Sequence, residues 1–240
     1  MTPSSRNAAA YALLSTLGLA CAGPPAPGPA GPSALWSIVS TCVDRRAGDF
    51  CACPAFALSC CGDRATADAD VVWAKTREFV AIRDLKMCGC PAGFVAGLAL
   101  PRTRVTGIEN PRRPEGIWSF AWQVARARIG DERQIGLAIN PKDARSENQM
   151  HVHMLRLRPE TRAWLDASDG APPAGTTVVS LPTLDAVFAA AEARVGPAGM
   201  ADTGILVAHV RGAWRAVLTH RSSPQAFTVN GCGPTTARPS

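Results

Sequence analysis

The hydrophobic and polar positions of this chain follow two periodicities in its first part. Short apolar runs rich in β-branched residues and bounded by Gly or Pro predict strands, which fall at residues 71–75, 79–84, 94–101, 134–141 and 148–157. Apolar residues at helical spacing predict helices at 33–43 and 113–130, the second ended by Gly130.

The second part of the chain repeats this order in weaker form. Strands are predicted at residues 176–182, 205–210 and 213–221, and a helix at 184–195. Strands that precede and follow a helix in this way predict an α+β fold built on an antiparallel sheet. We expect this domain to cover residues 34–225, followed by a C-terminal tail at 226–240.

The first residues have the pattern of an export signal. Arg6 is the only charge before residue 44, and residues 8–22 form an apolar stretch that is short for a membrane-spanning helix. We expect residues 1–22 to be a cleaved signal peptide or a short anchor, with lipid attachment at Cys21 as a further alternative. Residues 23–33, rich in Pro and Gly, are then an extended spacer.

The cysteines agree with export. Eight of the nine remain after Cys21 is set aside, namely Cys42, Cys51, Cys53, Cys60, Cys61, Cys88, Cys90 and Cys232. An even number in an exported chain predicts disulfides, whose connectivity the sequence leaves open. The C-x-C and C-C spacings differ from the C-x-x-C that is common in zinc sites, which remain the alternative.

Charge and composition narrow the classes of partner. The formal net charge is +6, and only three of the 25 cationic side chains are Lys. An excess of Arg fits either a compositional bias or attraction to phosphate-bearing ligands and an anionic membrane surface. We expect no nucleic-acid partner, because the interleaved aromatic residues and motifs of such proteins are missing.

Two of the four histidines, His151 and His153, lie two residues apart in an apolar run. In a strand they share one face, while Met150, Val152 and Met154 face the core. A solvated surface pair is one interpretation, and a zinc pair another, although no nearby third ligand supports it. The third is nucleophilic catalysis, because a neutral imidazole nitrogen can attack phosphorus.

The surroundings of these histidines resemble a known superfamily. The pattern resembles that of the histidine-triad (HIT) proteins: an Asn at the end of one strand, then a polar loop, then His-φ-His-φ (φ apolar) on the next strand. The residues that carry it are Asn140, Ser146, Asn148, Gln149, His151 and His153. The bacterial CDP-diacylglycerol pyrophosphatases are similar in further features: the exported N-terminus, the stretch 107–111, a Trp-containing helix, and Leu-Arg-Pro after the histidines. The similarity covers roughly residues 34–225 and is dense at 79–159.

This resemblance implies an HIT-like fold of two related halves, of which only the first keeps the active motif. It implies hydrolysis of CDP-diacylglycerol to CMP and phosphatidate through a covalent nucleotidyl-histidine, without a metal or other cofactor. His153 matches the nucleophile and His151 the preceding phosphate contact. The remaining candidate substrate-binding positions are Asn140, Asn148 and Gln149 near the phosphates and Asp84 near the ribose. The family also implies a location at the periplasmic face of the bacterial inner membrane, whether anchored, lipidated or secreted.

Two positions depart from the HIT pattern. Leu155 stands in the third histidine position, as in the pyrophosphatase branch, and Glu147 stands where a neutral amide is common. Its charge would oppose phosphate unless it points away or pairs with Arg145. The alternatives are therefore a hydrolase or transferase of soluble nucleotide conjugates, and an exported binding protein that lost catalysis. Base preference and oligomeric state stay open, and His209 and His220 are expected to be structural or surface residues.

Overall fold

The structure is a computed structural model that describes residues 34–44, 53, 71–88, 90–167 and 172–232. The predicted leader and spacer lie outside the described residues, as do Cys51, Cys60 and Cys61. Within the described ranges, no helix is both long and apolar enough to cross a membrane.

Within the part of the chain that the structure describes, the sheet contains nine strands. They are β1 Val72–Lys75, β2 Phe79–Arg83, β3 Ala96–Pro101, β4 Ile135–Ile139, β5 Val152–Leu157, β6 Thr176–Leu181, β7 Thr203–Val210, β8 Ala213–His220 and β9 Thr228–Val229. Their order is β1-β2-β3-β5-β4-β7-β8-β6, with β9 added to β5, and neighbouring strands run antiparallel. The α+β fold predicted from the sequence is confirmed.

Four α-helices lie in the described ranges: α1 Ala34–Ser37, α2 Ile117–Ile129, α3 Pro159–Asp166 and α4 Val187–Val195. A π-helical turn, Ile38–Cys42, continues α1. Helix α2 packs across β3, β4 and β5 and ends at Gly130, whose φ of +82° is a conformation that favours glycine.

One sheet face carries the main core. Side chains of α2 and α4 bury Met150, Val152 and Met154 there, as the alternation predicts. On the opposite face, α1 packs on β2 and β3, and α3 packs on β4, β7 and β8. His153 points to this opposite face, since it alternates with Val152 and Met154.

One expectation about this region was wrong, and one helix was missed. The strand predicted at residues 148–157 begins only at Val152, because the preceding residues turn toward another loop, where Gln149 forms an isolated bridge with Thr106. Helix α3 was not predicted at all. It begins at Pro159, which ends the strand but is also well suited to the first turn of a helix.

Disulfides support the prediction from the cysteine count. Cys42 pairs with Cys53, Cys90 pairs with Cys232, and Cys88 is also disulfide-bonded. The pair Cys90–Cys232 joins the loop after β2 to the segment after β9. The loop after β2 contributes side chains to the histidine site, and so do the residues just before β9.

Candidate active site

The two histidines are buried next to each other. His151 is 8% exposed and His153 5%, and their rings meet edge to face with centroids 4.8 Å apart. His153 lies in the middle of the sheet, opposite Leu98 on β3 and Ala138 on β4. The interpretation as a solvated surface pair is therefore wrong.

Each nitrogen of His153 faces a different polar side chain. Nδ1 lies 3.8 Å from Asp84 Oδ2, which is too long for a hydrogen bond, and it has no other partner among the described residues. Nε2 lies 3.0 Å from Gln225 Nε2. Asp84 directly follows β2, and its other oxygen accepts a hydrogen bond from the backbone N–H of Lys86 at 3.1 Å.

Burial and charge set the protonation of this pair. Burial lowers the pKa of His153, and the Asp84 carboxylate only partly opposes this. Burial by itself would raise the pKa of Asp84, but the interaction with His153 and with Lys86 lowers it overall. At neutral pH the site therefore holds an ionised Asp84 beside a neutral His153.

His151 is neutral as well. Burial, followed by the neighbouring His153, lowers its pKa to about 3. Its Nδ1 lies 2.8 Å from the backbone carbonyl of Gln149, which can only accept, so Nδ1 carries the proton and Nε2 a lone pair. His151 therefore carries no positive charge before substrate binds.

The structure gives Gln149 a role in positioning backbone. Its amide nitrogen donates to the carbonyls of Pro101 (3.1 Å) and Thr103 (2.8 Å), and its oxygen accepts from the N–H of Val105 (3.3 Å). Both N–H groups are thus used, and none is left for a phosphate oxygen. Gln149 fastens the loop after β3 to the residues that lead into β5.

The two candidate asparagines are placed differently. Asn140 is buried, lines a small cavity with His151, and its oxygen accepts from Ser223 Oγ at 2.7 Å. The side chain of Asn148 is exposed. Its backbone carbonyl accepts a hydrogen bond from the N–H of Gly107, and its side chain forms none within the described residues. The geometry therefore brings Asn140, and not the side chain of Asn148, to the histidines.

Charged residues of the polar loop do not pair as expected. Arg145 makes two hydrogen bonds with Glu109, at 2.8 and 2.5 Å, and also lines the cavity at His151. A Cβ at Gly107, whose φ is +61°, would overlap the Arg145 guanidinium. Glu147 instead accepts a hydrogen bond from the backbone N–H of Leu35 at 3.2 Å, so its charge points toward α1.

Leu155, at the third position of the motif, lies in apolar surroundings. Leu155 is fully buried and packs with Phe94 and Ala96 on the histidine face of the sheet. The described ranges contain no group of three or more metal-ligating side chains. His209 lies against Trp214, at 4.6 Å between ring centroids, and His220 is exposed, in agreement with their expected roles.

Sequence reasoning missed three residues of this site: Lys86, Ser223 and Gln225. Lys86 offered a weak signal, as one of three lysines and only two positions after Asp84. Ser223 and Gln225 belong to no motif, and only the return of the chain beside β5 brings them to the histidines.

Comparison with known families supports the resemblance. A sequence model of the family described as CDP-diacylglycerol pyrophosphatase matches residues 30–177, well over half of the chain. The matched region contains Asp84, Lys86, Asn140 and both histidines. It ends before the segment that carries Ser223 and Gln225.

Proposed function

Since this chain belongs to the CDP-diacylglycerol pyrophosphatase family, hydrolases of a phosphoric anhydride bond, we propose that it works through a covalent cytidylyl-histidine at His153. The substrate is CDP-diacylglycerol, and the products are CMP and phosphatidate. The observation that carries this proposal is a buried, neutral imidazole whose far nitrogen faces a carboxylate.

In the first step, Nε2 of His153 attacks the phosphorus that bears cytidine. A P–N bond forms, the bridging P–O bond breaks, and phosphatidate leaves with the bond electrons. The ring becomes cationic, because Nδ1 keeps its proton. Asp84 lies 3.8 Å from Nδ1 and stabilises this charge, which is a different role from the ribose contact expected from the resemblance.

In the second step, water attacks the same phosphorus and breaks the P–N bond, which releases CMP and restores neutral His153. His151 is placed to accept the proton of this water and pass it to solvent, because its Nε2 carries a lone pair and its ring touches that of His153. Asn140 and Arg145, which line the cavity beside His151, are the nearest candidates to contact the phosphoryl oxygens.

The site is proposed to operate at the periplasmic face of the inner membrane, where an exported chain meets its lipid substrate. The apolar leader of the sequence and the disulfides support this location. The net positive charge favours approach to an anionic membrane surface.

The test is to trap the intermediate. Purified protein is mixed with CDP-diacylglycerol labelled in the cytidylyl phosphate, quenched in denaturant at alkaline pH to preserve the P–N bond, and digested. We expect label on the peptide that contains His153, and turnover abolished in His153→Ala. His151→Ala should lose about 10²–10³-fold in turnover but still form the adduct. Label on His151, or an active His153→Ala variant, would contradict the assignment.

A parallel incubation with soluble CDP-alcohols and nucleotide sugars tests the lipid substrate. Turnover of CDP-diacylglycerol well above that of the soluble compounds is expected. The reverse order would favour a hydrolase of soluble conjugates.

A further inference from the structure

Gln225 touches the atom that the proposed mechanism makes nucleophilic. It lies in the 3₁₀ turn Pro224–Phe227, is 5% exposed, and places its amide nitrogen 3.0 Å from His153 Nε2. Its backbone is fixed as well, since Ser223 Oγ accepts from its N–H and its carbonyl accepts from Thr228 Oγ1.

Lys86 determines which way this amide points. Its ammonium lies 2.8 Å from the Gln225 side-chain oxygen. An ammonium group has hydrogens to donate and no lone pair, so the atom that faces it must be the amide oxygen. The amide NH₂ then faces His153, and it can only donate.

The orientation of the amide decides the tautomer of His153. A ring nitrogen that accepts from an NH₂ group carries no proton, so the proton of neutral His153 lies on Nδ1. Nδ1 is the nitrogen that faces Asp84. Lys86 and Gln225 therefore act on one side of the ring and Asp84 on the other, and both favour the same tautomer.

We propose that Gln225, oriented by Lys86, is a positioning residue that keeps Nε2 of His153 unprotonated and ready for attack. This inference rests on the proposed function, because it concerns the same nucleophile. In the opposite tautomer Nε2 carries the proton, and attack would first require its removal. When substrate arrives, phosphorus replaces the amide at Nε2.

The tautomer can be observed without substrate. The full mature protein is labelled with ¹⁵N at histidine, and the ring nitrogen shifts of His153 are assigned with the His153→Ala variant. We expect Nε2 of wild type to be unprotonated and Nδ1 to be protonated at pH 7. A protonated Nε2 in wild type would overturn the inference even if no variant folded.

Variants test the contribution of the amide. Gln225→Glu replaces the donor with an acceptor, so Nε2 should become protonated and the acidic limb of kcat/KM should move to higher pH. Gln225→Leu and Lys86→Met should give mixed tautomers and lower kcat by about 10–100-fold with a smaller change in KM. Gln123→Glu, on the exposed face of α2, is the matched control for the added charge.

The outcomes separate this inference from the proposed function. Label trapped on His153, with unchanged tautomer and pH profile in Gln225→Glu, would overturn the role of Gln225 alone. Label trapped elsewhere, with the tautomer shifting as expected, would overturn the nucleophile and leave the control of the ring by Gln225 supported.

Discussion

At the scale of single residues, the two histidines of the site are uncharged at neutral pH. Burial lowers the pKa of both His151 and His153, while Asp84 stays ionised. In the proposed mechanism, the neutral rings keep lone pairs for attack and proton transfer, and the Asp84 carboxylate offsets the charge on the attacking ring.

Asp84→Asn tests this division of roles. In wild type, we expect the acidic limb of kcat/KM to lie below the ordinary histidine pKa, because the pKa of His153 is lowered. Asp84 raises the pKa of His153, so removal of this carboxylate should move the limb to still lower pH. The plateau should fall by about 10²-fold or more, because the cation on the ring loses its counter-charge. Asp143→Asn, an exposed carboxylate, is the control. A limb that moves upward would show that Asp84 does not face the titrating ring.

His151 should make folding stability depend on pH. Its pKa is about 3 in the folded protein and about 6.5 when unfolded, so the unfolded chain binds more protons between these values. Stability from this residue is complete above pH 6.5 and is lost as pH falls, at up to about 1.4 kcal/mol per pH unit. The free energy of unfolding, measured with denaturant between pH 7 and pH 4, should fall less steeply with decreasing pH in His151→Asn than in wild type. Parallel curves would mean that the ring is not buried in its neutral form.

At the scale of elements, helix α1 depends on a residue of the histidine motif. Glu147 accepts from the N–H of Leu35, and burial raises its pKa. The charge that the sequence places next to the phosphate loop is therefore turned toward the N-terminal helix. The concern that Glu147 opposes phosphate binding does not apply to this geometry.

Substitution of Glu147 should consequently affect stability more than catalysis. Glu147→Ala should lower the free energy of unfolding by about 1 kcal/mol, as for loss of a helix cap, and change kcat/KM by less than about threefold. Glu147→Gln keeps an acceptor and should lie between this variant and wild type. A rise in activity without loss of stability would place the carboxylate at the phosphates after all.

At the scale of the whole molecule, the site is assembled from distant parts of the chain. Asp84 and Lys86 follow β2, His153 lies on β5 with His151 just before it, and Gln225 comes after β8. The disulfide Cys90–Cys232 links the first and last of these segments across 142 residues. It therefore constrains two sides of His153 at once.

Removal of this disulfide should impair both stability and turnover. The double variant Cys90→Ser, Cys232→Ser should lose about 4–5 kcal/mol in a chain-entropy estimate, and its kcat should fall because Gln225 and Asp84 are less well held. The control is Cys42→Ser with Cys53→Ser, which spans 11 residues and contributes nothing to the site. It should lose about 3 kcal/mol with kcat unchanged in the folded fraction. If both double variants changed kcat equally, the disulfide Cys90–Cys232 would have no specific role in the site.

Much of the fold could be predicted from local patterns. Alternating and continuous apolar runs located the strands β1–β8 within a few residues, and helical spacing with a terminal Gly130 located α2. The apolar leader and the even cysteine count also predicted export, which stays a prediction. The motif around His151 and His153 indicated the family, because its residue types and spacing are local features of the chain.

The errors arose where the conformation depends on distant contacts. Residues 148–151 have the composition of a strand, but the side chain of Gln149 binds the loop after β3, and β5 begins later. The fixed φ of a Pro is compatible with a break after a strand and with the first turn of a helix. The local sequence around Pro159 could therefore not decide between the two.

The sequence by itself indicated which residues could perform the chemistry: a pair of histidines at strand spacing, with Asn140 at the end of a predicted strand, and Asp84 through the family resemblance. Tertiary structure decided how those residues are protonated. Burial makes both rings neutral, and Asp84 and Gln225 meet opposite nitrogens of His153. A pKa and a tautomer depend on desolvation and on partners far away in the chain, and neither is encoded in the spacing of a motif.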